Sequence, residues 1–145
     1  MVRALRVELW FFLFFTVVLS ACSATDDSNT AESQVPLFHQ ALDATQFESL
    51  YENSSAELKK AVSKKEFIAY LNEVHDRLGN VKSAEKISSN VNFASNTYVT
   101  LSYNTEFERG KGSERFIYRV NSKQVFLYSY HIQSSKLPTN FTNEY

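Results

Sequence analysis

Few side chains in this sequence are of the kinds and spacings that do chemistry. His39, His75 and His131 stand far apart; His39 and His75 are expected on polar helix faces, and His131 on the face of the last strand that opposes Tyr130 and Ile132. No two of them have the spacing that puts a pair of imidazoles on one helical face, so a zinc site would need chance convergence in space and no metal is expected. Cys22 is the single cysteine, which excludes an internal disulfide and any multi-cysteine metal site; its position carries its meaning. No order of Ser, His and acid marks a catalytic triad. Proton abstraction would need an Asp or His in an apolar mouth, where burial moves its pKa toward neutrality, and Asp43, Asp76 and His131 are the candidates. The plainer reading of these three, solvated carboxylates at helix ends and a sheet-surface histidine, is the expectation. Arg109-Gly110-Lys111-Gly112 has two glycines and two cations but lacks the strand-to-helix setting of a phosphate loop, and reads as a hairpin turn. No cofactor is expected.

The charge balance, 15 Lys and Arg against 16 Asp and Glu, leaves no basic footprint for a nucleic acid and no acidic tail. The first residues do carry a signal. Arg3 and Arg6 precede an apolar run from Leu9 to Leu19, broken only by Thr16, and small residues Ser20 and Ala21 follow. That order is the order of a secretory signal, and the run is short of the roughly 20 apolar residues that a spanning helix needs. Leu19-Ser20-Ala21-Cys22 resembles the lipobox of bacterial lipoproteins. The resemblance implies cleavage between Ala21 and Cys22, lipid attachment at Cys22 and a membrane as partner. Several acyl chains on one cysteine hold a protein stably where a single chain holds it marginally. In lipoproteins of two-membrane bacteria an Asp after the cysteine retains the protein at the inner membrane; Ser23 stands there, which implies the outer membrane, facing the periplasm.

Stepping along the chain, residues 23 to 34 (SATDDSNTAESQ) hold no large apolar side chain and read as a flexible tether. Leu37, Phe38, Ala41 and Leu42 then repeat at helical steps, and a short segment follows through Phe47, Leu50 and Tyr51. Ser54 with Glu57, and Ser63 with Glu66, each match a capping box and mark two helix starts. Phe67, Leu71, Val74 and Leu78 form one stripe, so residues 64 to 78 are predicted helix, stopped by Gly79. Beyond Gly79 the period turns to alternation. Strands are predicted over 81 to 89, over 98 to 107 with Val99, Leu101, Tyr103, Thr105 and Phe107 on one face, over 114 to 120, and over 124 to 133, with turns at 109 to 112 and 121 to 123. Helices segregated from consecutive antiparallel strands make an α+β domain, N-terminal helices on a curved sheet of about four strands. Residues 134 to 145 read as an irregular tail.

Ala41-Leu42-Asp43, Phe47-Glu48-Ser49-Leu50-Tyr51, Ser63-Lys64-Lys65-Glu66-Phe67 and Arg77-Leu78-Gly79 before a sheet together resemble small secreted bacterial domains with the nuclear transport factor 2-like, cystatin-like cone. These include domains of unknown function of the 4019 or 3887 type. Their final strand tends to read Trp-Lys-Val-x-Gly-Tyr-x-Ile; here Tyr130 and Ile132 keep that pattern, while Val125 stands for Trp and Ser129 for Gly. The resemblance spans about residues 36 to 133. It implies a curved sheet wrapped around helices, and no particular reaction, because this fold serves enzymes, transport factors and assembly modules alike.

The expected organisation is a signal over 1 to 21, lipidated Cys22 with a tether over 22 to 34, a cone-like domain over 35 to 133 and a polar tail over 134 to 145. The expected function is a noncatalytic binding or accessory module of the cell envelope, with a protein or small ligand as partner. The alternatives are a cone-fold enzyme with an acid or base in its pocket, and an assembly lipoprotein that forms a homodimer through its sheet. Phe116, Tyr118, Phe126, Tyr128 and Tyr130 would serve such a sheet contact if exposed; burial in the core is the expectation.

Overall fold

A computed structural model describes residues 21–122 and 124–138. The stretch expected to be a signal, up to residue 20, and the last residues of the expected tail lie outside the described residues. Among the described residues five helices precede four strands: α1 (Ala21–Glu32), α2 (Gln34–Asp43), α3 (Phe47–Glu52), α4 (Ala56–Ala61), α5 (Lys64–Leu78), β1 (Val81–Phe93), β2 (Thr97–Phe107), β3 (Gly110–Asn121) and β4 (Gln124–Gln133). The strands form one antiparallel meander in the order β1-β2-β3-β4, curved and unclosed, with the helices N-terminal to it. The α+β architecture matches the hydrophobic periodicities.

The best-marked element falls where its residues place it. Ser63 accepts from the Glu66 amide while the Glu66 carboxylate accepts from the Ser63 amide, a complete capping box, and α5 runs from Lys64 to Leu78. Gly79 ends it at φ 75° and ψ −162°, a region essentially reserved for glycine. A Cβ there would stand 2.6 Å from Glu108 Oε2. The other start is displaced by one residue. Ser55, not Ser54, caps α4 and accepts from the Leu58 amide, whereas the Ser54 hydroxyl donates to the Tyr51 carbonyl.

The expected tether is a correction. Residues 21 to 32 form α1, although their Ser, Thr, Asp and Asn content disfavours a helix by propensity. Tertiary contacts supply what propensity lacks. Ala31 is fully buried, small enough to let the backbone approach the sheet, while Ser28 bonds Ser89 on β1 at 2.7 Å and Glu32 pairs with Lys86 at 2.8 Å. The division between α1 and α2 follows from Pro36, which has no amide to offer the Glu32 carbonyl. The face that α2 buries is also rotated from the expected one. Val35, Phe38, His39 and Leu42 point inward, and Leu37 is 54% exposed.

β1 continues to Phe93 rather than stopping at Ser89, because residues 90 to 93 keep pairing with 97 to 100. It is the edge of the sheet and exposed along most of its length. The register skips Lys82 and Ile87, bulges of the kind that blunt an edge against stray pairing. The expected turn at 109 to 112 shrinks to Glu108-Arg109, with Gly110 and Gly112 inside β3. Gly112 allows a close approach, since a Cβ there would meet Ile132 Cδ1 at 2.8 Å. A further bulge lies between Ile117 and Tyr118, opposite Tyr128.

The core lies between the helices and the inner sheet face. Phe38 from α2 packs against Phe116 and Tyr130, ring centroids 5.2 and 4.6 Å away. Leu71, Val74 and Leu78 of α5 and Val99 and Leu101 of β2 are fully buried in the same cluster. Leu137, expected in an irregular tail, is buried too.

Candidate functional site

The alternation of β3 puts Gly112, Glu114, Phe116, Tyr118 and Val120 inward, so a carboxylate enters the aromatic core. Glu114 is 2% exposed, the one buried carboxylate among the described residues. The elements around it are built to receive it. Thr105, on the inward face of β2, donates its hydroxyl to Glu114 Oε2 in a short hydrogen bond. His39, one helical turn from Val35 and Leu42 on the buried face of α2, places Nε2 2.8 Å from the same oxygen. Tyr130 of β4 donates to Glu114 Oε1 at 2.7 Å. Both oxygens are engaged by side chains of the fold. Burial, and then the Glu114 charge, push the Tyr130 phenol well above its ordinary pKa, so Tyr130 stays a donor throughout the physiological range. Tyr118, stacked on Phe116, is likewise raised by burial and then by Glu114.

Sequence reasoning missed this cluster, although its signals were present. Glu114 has the parity of Phe116 and Tyr118, Thr105 that of Leu101 and Tyr103, and His39 lies on the stripe of Val35 and Leu42. The expectation that His39 sits on a polar helix face is therefore corrected: it is 7% exposed, and its Glu114 partner makes that burial tolerable.

The other candidates scatter. Asp43 closes α2 and accepts from the Val81 amide at 2.9 Å, holding the start of β1. It shares with His39 an open groove of about 440 Å³, whose other walls are Glu32, Val35, Pro36, Gln40, Val81, Ala84 and Tyr103. Asp76 is exposed on α5. His75 is half-buried and bonds Asn80 Oδ1 at 3.1 Å. His131 pairs across from Arg115, on the side opposite Tyr130 and Ile132 as expected, but it is buried rather than a surface histidine. Among the described residues no group of three His, Cys, Asp or Glu could hold a metal ion, and no helix is long and apolar enough to cross a membrane.

Three of the five sheet aromatics, Phe116, Tyr118 and Tyr130, are core. Phe126 and Tyr128 are half-buried. Phe126 lies 5.5 Å beneath the Arg119 guanidinium, which also binds Glu57 at 2.6 Å, and Tyr128 meets Tyr98 edge-on at 5.0 Å. A second groove, about 370 Å³, runs between α2, α3 and β4 past Leu37, Phe38, Leu50 and Leu127.

The family model of a protein of unknown function, DUF4019, matches residues 37–129, which takes in His39, Thr105 and Glu114. The chain belongs to the DUF4019 family. No curated protein matches it significantly. The matched span of this DUF4019 chain begins inside α2 and ends inside β4, so it excludes α1 and leaves Tyr130 just beyond its edge.

Proposed function

We propose that this DUF4019 protein is a noncatalytic binding or accessory module of the cell envelope, anchored by lipid on Cys22 and carrying a nuclear transport factor 2-like, cystatin-like domain. The observation that carries the noncatalytic reading is the enclosure of Glu114. An acid that moves protons must reach substrate, whereas this carboxylate has a fully covered side chain and both oxygens committed to Tyr130, Thr105 and His39. The cluster joins α2 to β2, β3 and β4, and its chemistry is cohesion. Contacts with a protein or small ligand then fall to the surface. The signal and the lipobox-like Leu19-Ser20-Ala21-Cys22 support the anchor, and Ser23 favours the outer membrane facing the periplasm.

Radiolabelled fatty acid fed to cells expressing the protein tests the anchor. Label should enter the protein and vanish with Cys22→Ser; label retained in that variant would refute the reading.

A second reading has one observation in its favour: His39, oriented by a carboxylate, borders an open groove. A carboxylate behind an imidazole is how a general base is oriented. Here, however, the outer nitrogen, Nε2, is the one turned to the acid, which leaves only the nitrogen nearer the backbone for a substrate. Turnover of any small molecule that is abolished by filling this groove with Ala84→Trp, in a variant that still folds, would favour the enzyme.

A further inference from the structure

Glu32, His39 and Asp43 follow one another at steps of seven and four residues, spacings that return to one helical face, and all three border the groove of about 440 Å³. Each has bonding capacity left over. Asp43 uses Oδ1 to accept from the Val81 amide; its Oδ2 accepts nothing, and no cation pairs with this carboxylate among the described residues. Glu32 uses Oε1 for Lys86 and Ser28, and its Oε2 accepts nothing among the described residues. His39 is 7% exposed and commits Nε2 to Glu114. Its Nδ1 has no partner among the described residues and is not sealed from solvent, so the groove is where that atom opens. The Tyr103 hydroxyl, on the strand side of the same groove, is also unbonded among the described residues. Polar atoms of half-buried and buried side chains ordinarily find partners.

The field in the groove is negative. Lys86 offsets Glu32, but among the described residues no Lys or Arg offsets Asp43 or the Glu114 carboxylate behind His39. The Tyr103 phenol feels that field, since burial and then the Glu32 and Glu114 charges raise its pKa. A wall of this kind favours a cation. It does not suit a bare metal ion, because no three His, Cys, Asp or Glu groups of the described residues converge to hold one. The two free carboxylate oxygens belong to opposite ends of the stripe, with Val35 between them on the helices and Val81 and Ala84 on the strand side. A chain of methylenes with a charge at each end meets both the acids and the apolar wall.

We propose that this groove binds a linear aliphatic polyamine, with its terminal ammonium groups on Glu32 Oε2 and Asp43 Oδ2, its methylenes against Val35 and Val81, and an amine N–H donated to His39 Nδ1. Occupancy then selects the His39 tautomer with hydrogen on Nε2, the form that donates to ionised Glu114, and so couples the ligand to the buried cluster. The polyamine is the ligand class of the binding module proposed above, and the assignment rests on that reading.

Isothermal titration calorimetry of spermidine into the purified protein in nonionic detergent tests the site. Binding should saturate and weaken with added salt. Asp43→Asn and Glu32→Gln keep the acceptor oxygens that serve Val81 and Lys86 while removing the charge, and each should weaken binding at least about tenfold, the worth of one charged hydrogen bond. Asp76→Asn makes the same change of charge on an exposed residue of α5 outside the groove and should leave the Kd unaltered. Butylamine, with a single ammonium group, should bind the unaltered protein at least about tenfold more weakly than spermidine, a comparison that stands even if a variant fails to fold. Absence of saturable binding, equal affinity for the two amines, or a loss in Asp76→Asn matching that in Asp43→Asn would overturn the site. If binding is absent while the Cys22 label is present, the site is lost and the anchored module stands; spermidine consumed rather than recovered intact would keep the site and overturn the noncatalytic reading.

Discussion

Replacing Glu114 is the sharpest test of the cohesive role assigned to the buried cluster. Glu114→Gln keeps the shape and removes the charge. The amide oxygen retains the place of Oε2 and the bonds from His39 and Thr105, now neutral, while the amide nitrogen faces the Tyr130 hydroxyl, which must turn from donor to acceptor. Hydrogen bonds to a charged group are worth about 1.5–3 kcal/mol against about 1 for neutral ones. Two weakened bonds and one reversed bond therefore cost about 2 kcal/mol. Glu114→Leu fills similar space but strands three donors in the core, and its cost should approach the roughly 3–5 kcal/mol of breaking a buried pair from one side. Urea unfolding of the purified protein, followed by circular dichroism, reads both. The midpoint should fall in the order wild type, Gln, Leu, by about 1 M for Gln if the slope is about 2 kcal/mol per molar, with the slope unchanged. A leucine variant as stable as wild type, or more so, would refute the argument, for it would mean that the three donors find other partners and the carboxylate holds nothing together.

Two further outcomes follow from the same packing. Gly112→Ala would push a methyl group into Ile132 Cδ1 at 2.8 Å and the Phe107 ring at 3.3 Å; overpacking of this kind costs about 1–3 kcal/mol, and a melting temperature equal to wild type would contradict the close approach. Tyr103, Tyr118 and Tyr130 all have phenols raised by burial. Above the ordinary tyrosine value of about 10 the unfolded chain loses these protons while the folded one keeps them, so the unfolded state binds fewer protons and stability must fall as pH rises. Denaturant midpoints across that range should decline less steeply in Tyr118→Phe than in wild type, and parallel curves would count against the burial of that hydroxyl.

The register of α5 and of β2 could be read directly, because each is a single amphipathic stripe whose period is local. Ser63, Glu66 and the run from Phe67 to Leu78 specify a helix from within, and Val99 to Phe107 alternate without interruption. The caps and turns were legible to within a residue or two. Ser54 and Ser55 offer equivalent hydroxyls, and Ser55 prevails because its own amide is held by the Leu127 carbonyl of β4 at 2.9 Å, a partner 72 residues away in sequence.

What the sequence by itself determined is therefore the class of fold, the periodic elements and the resemblance of its first 22 residues to an export and lipidation signal, all properties of neighbouring residues. The tertiary structure decided the rest. It turned a polar stretch with poor helical propensity into α1, through one buried alanine and two contacts with β1. It also converged His39, Thr105, Glu114 and Tyr130, each unremarkable alone. Burial of a charge is worthwhile only when every partner arrives together, and whether four distant segments bring them to one point is settled by the packing of the whole sheet against its helices.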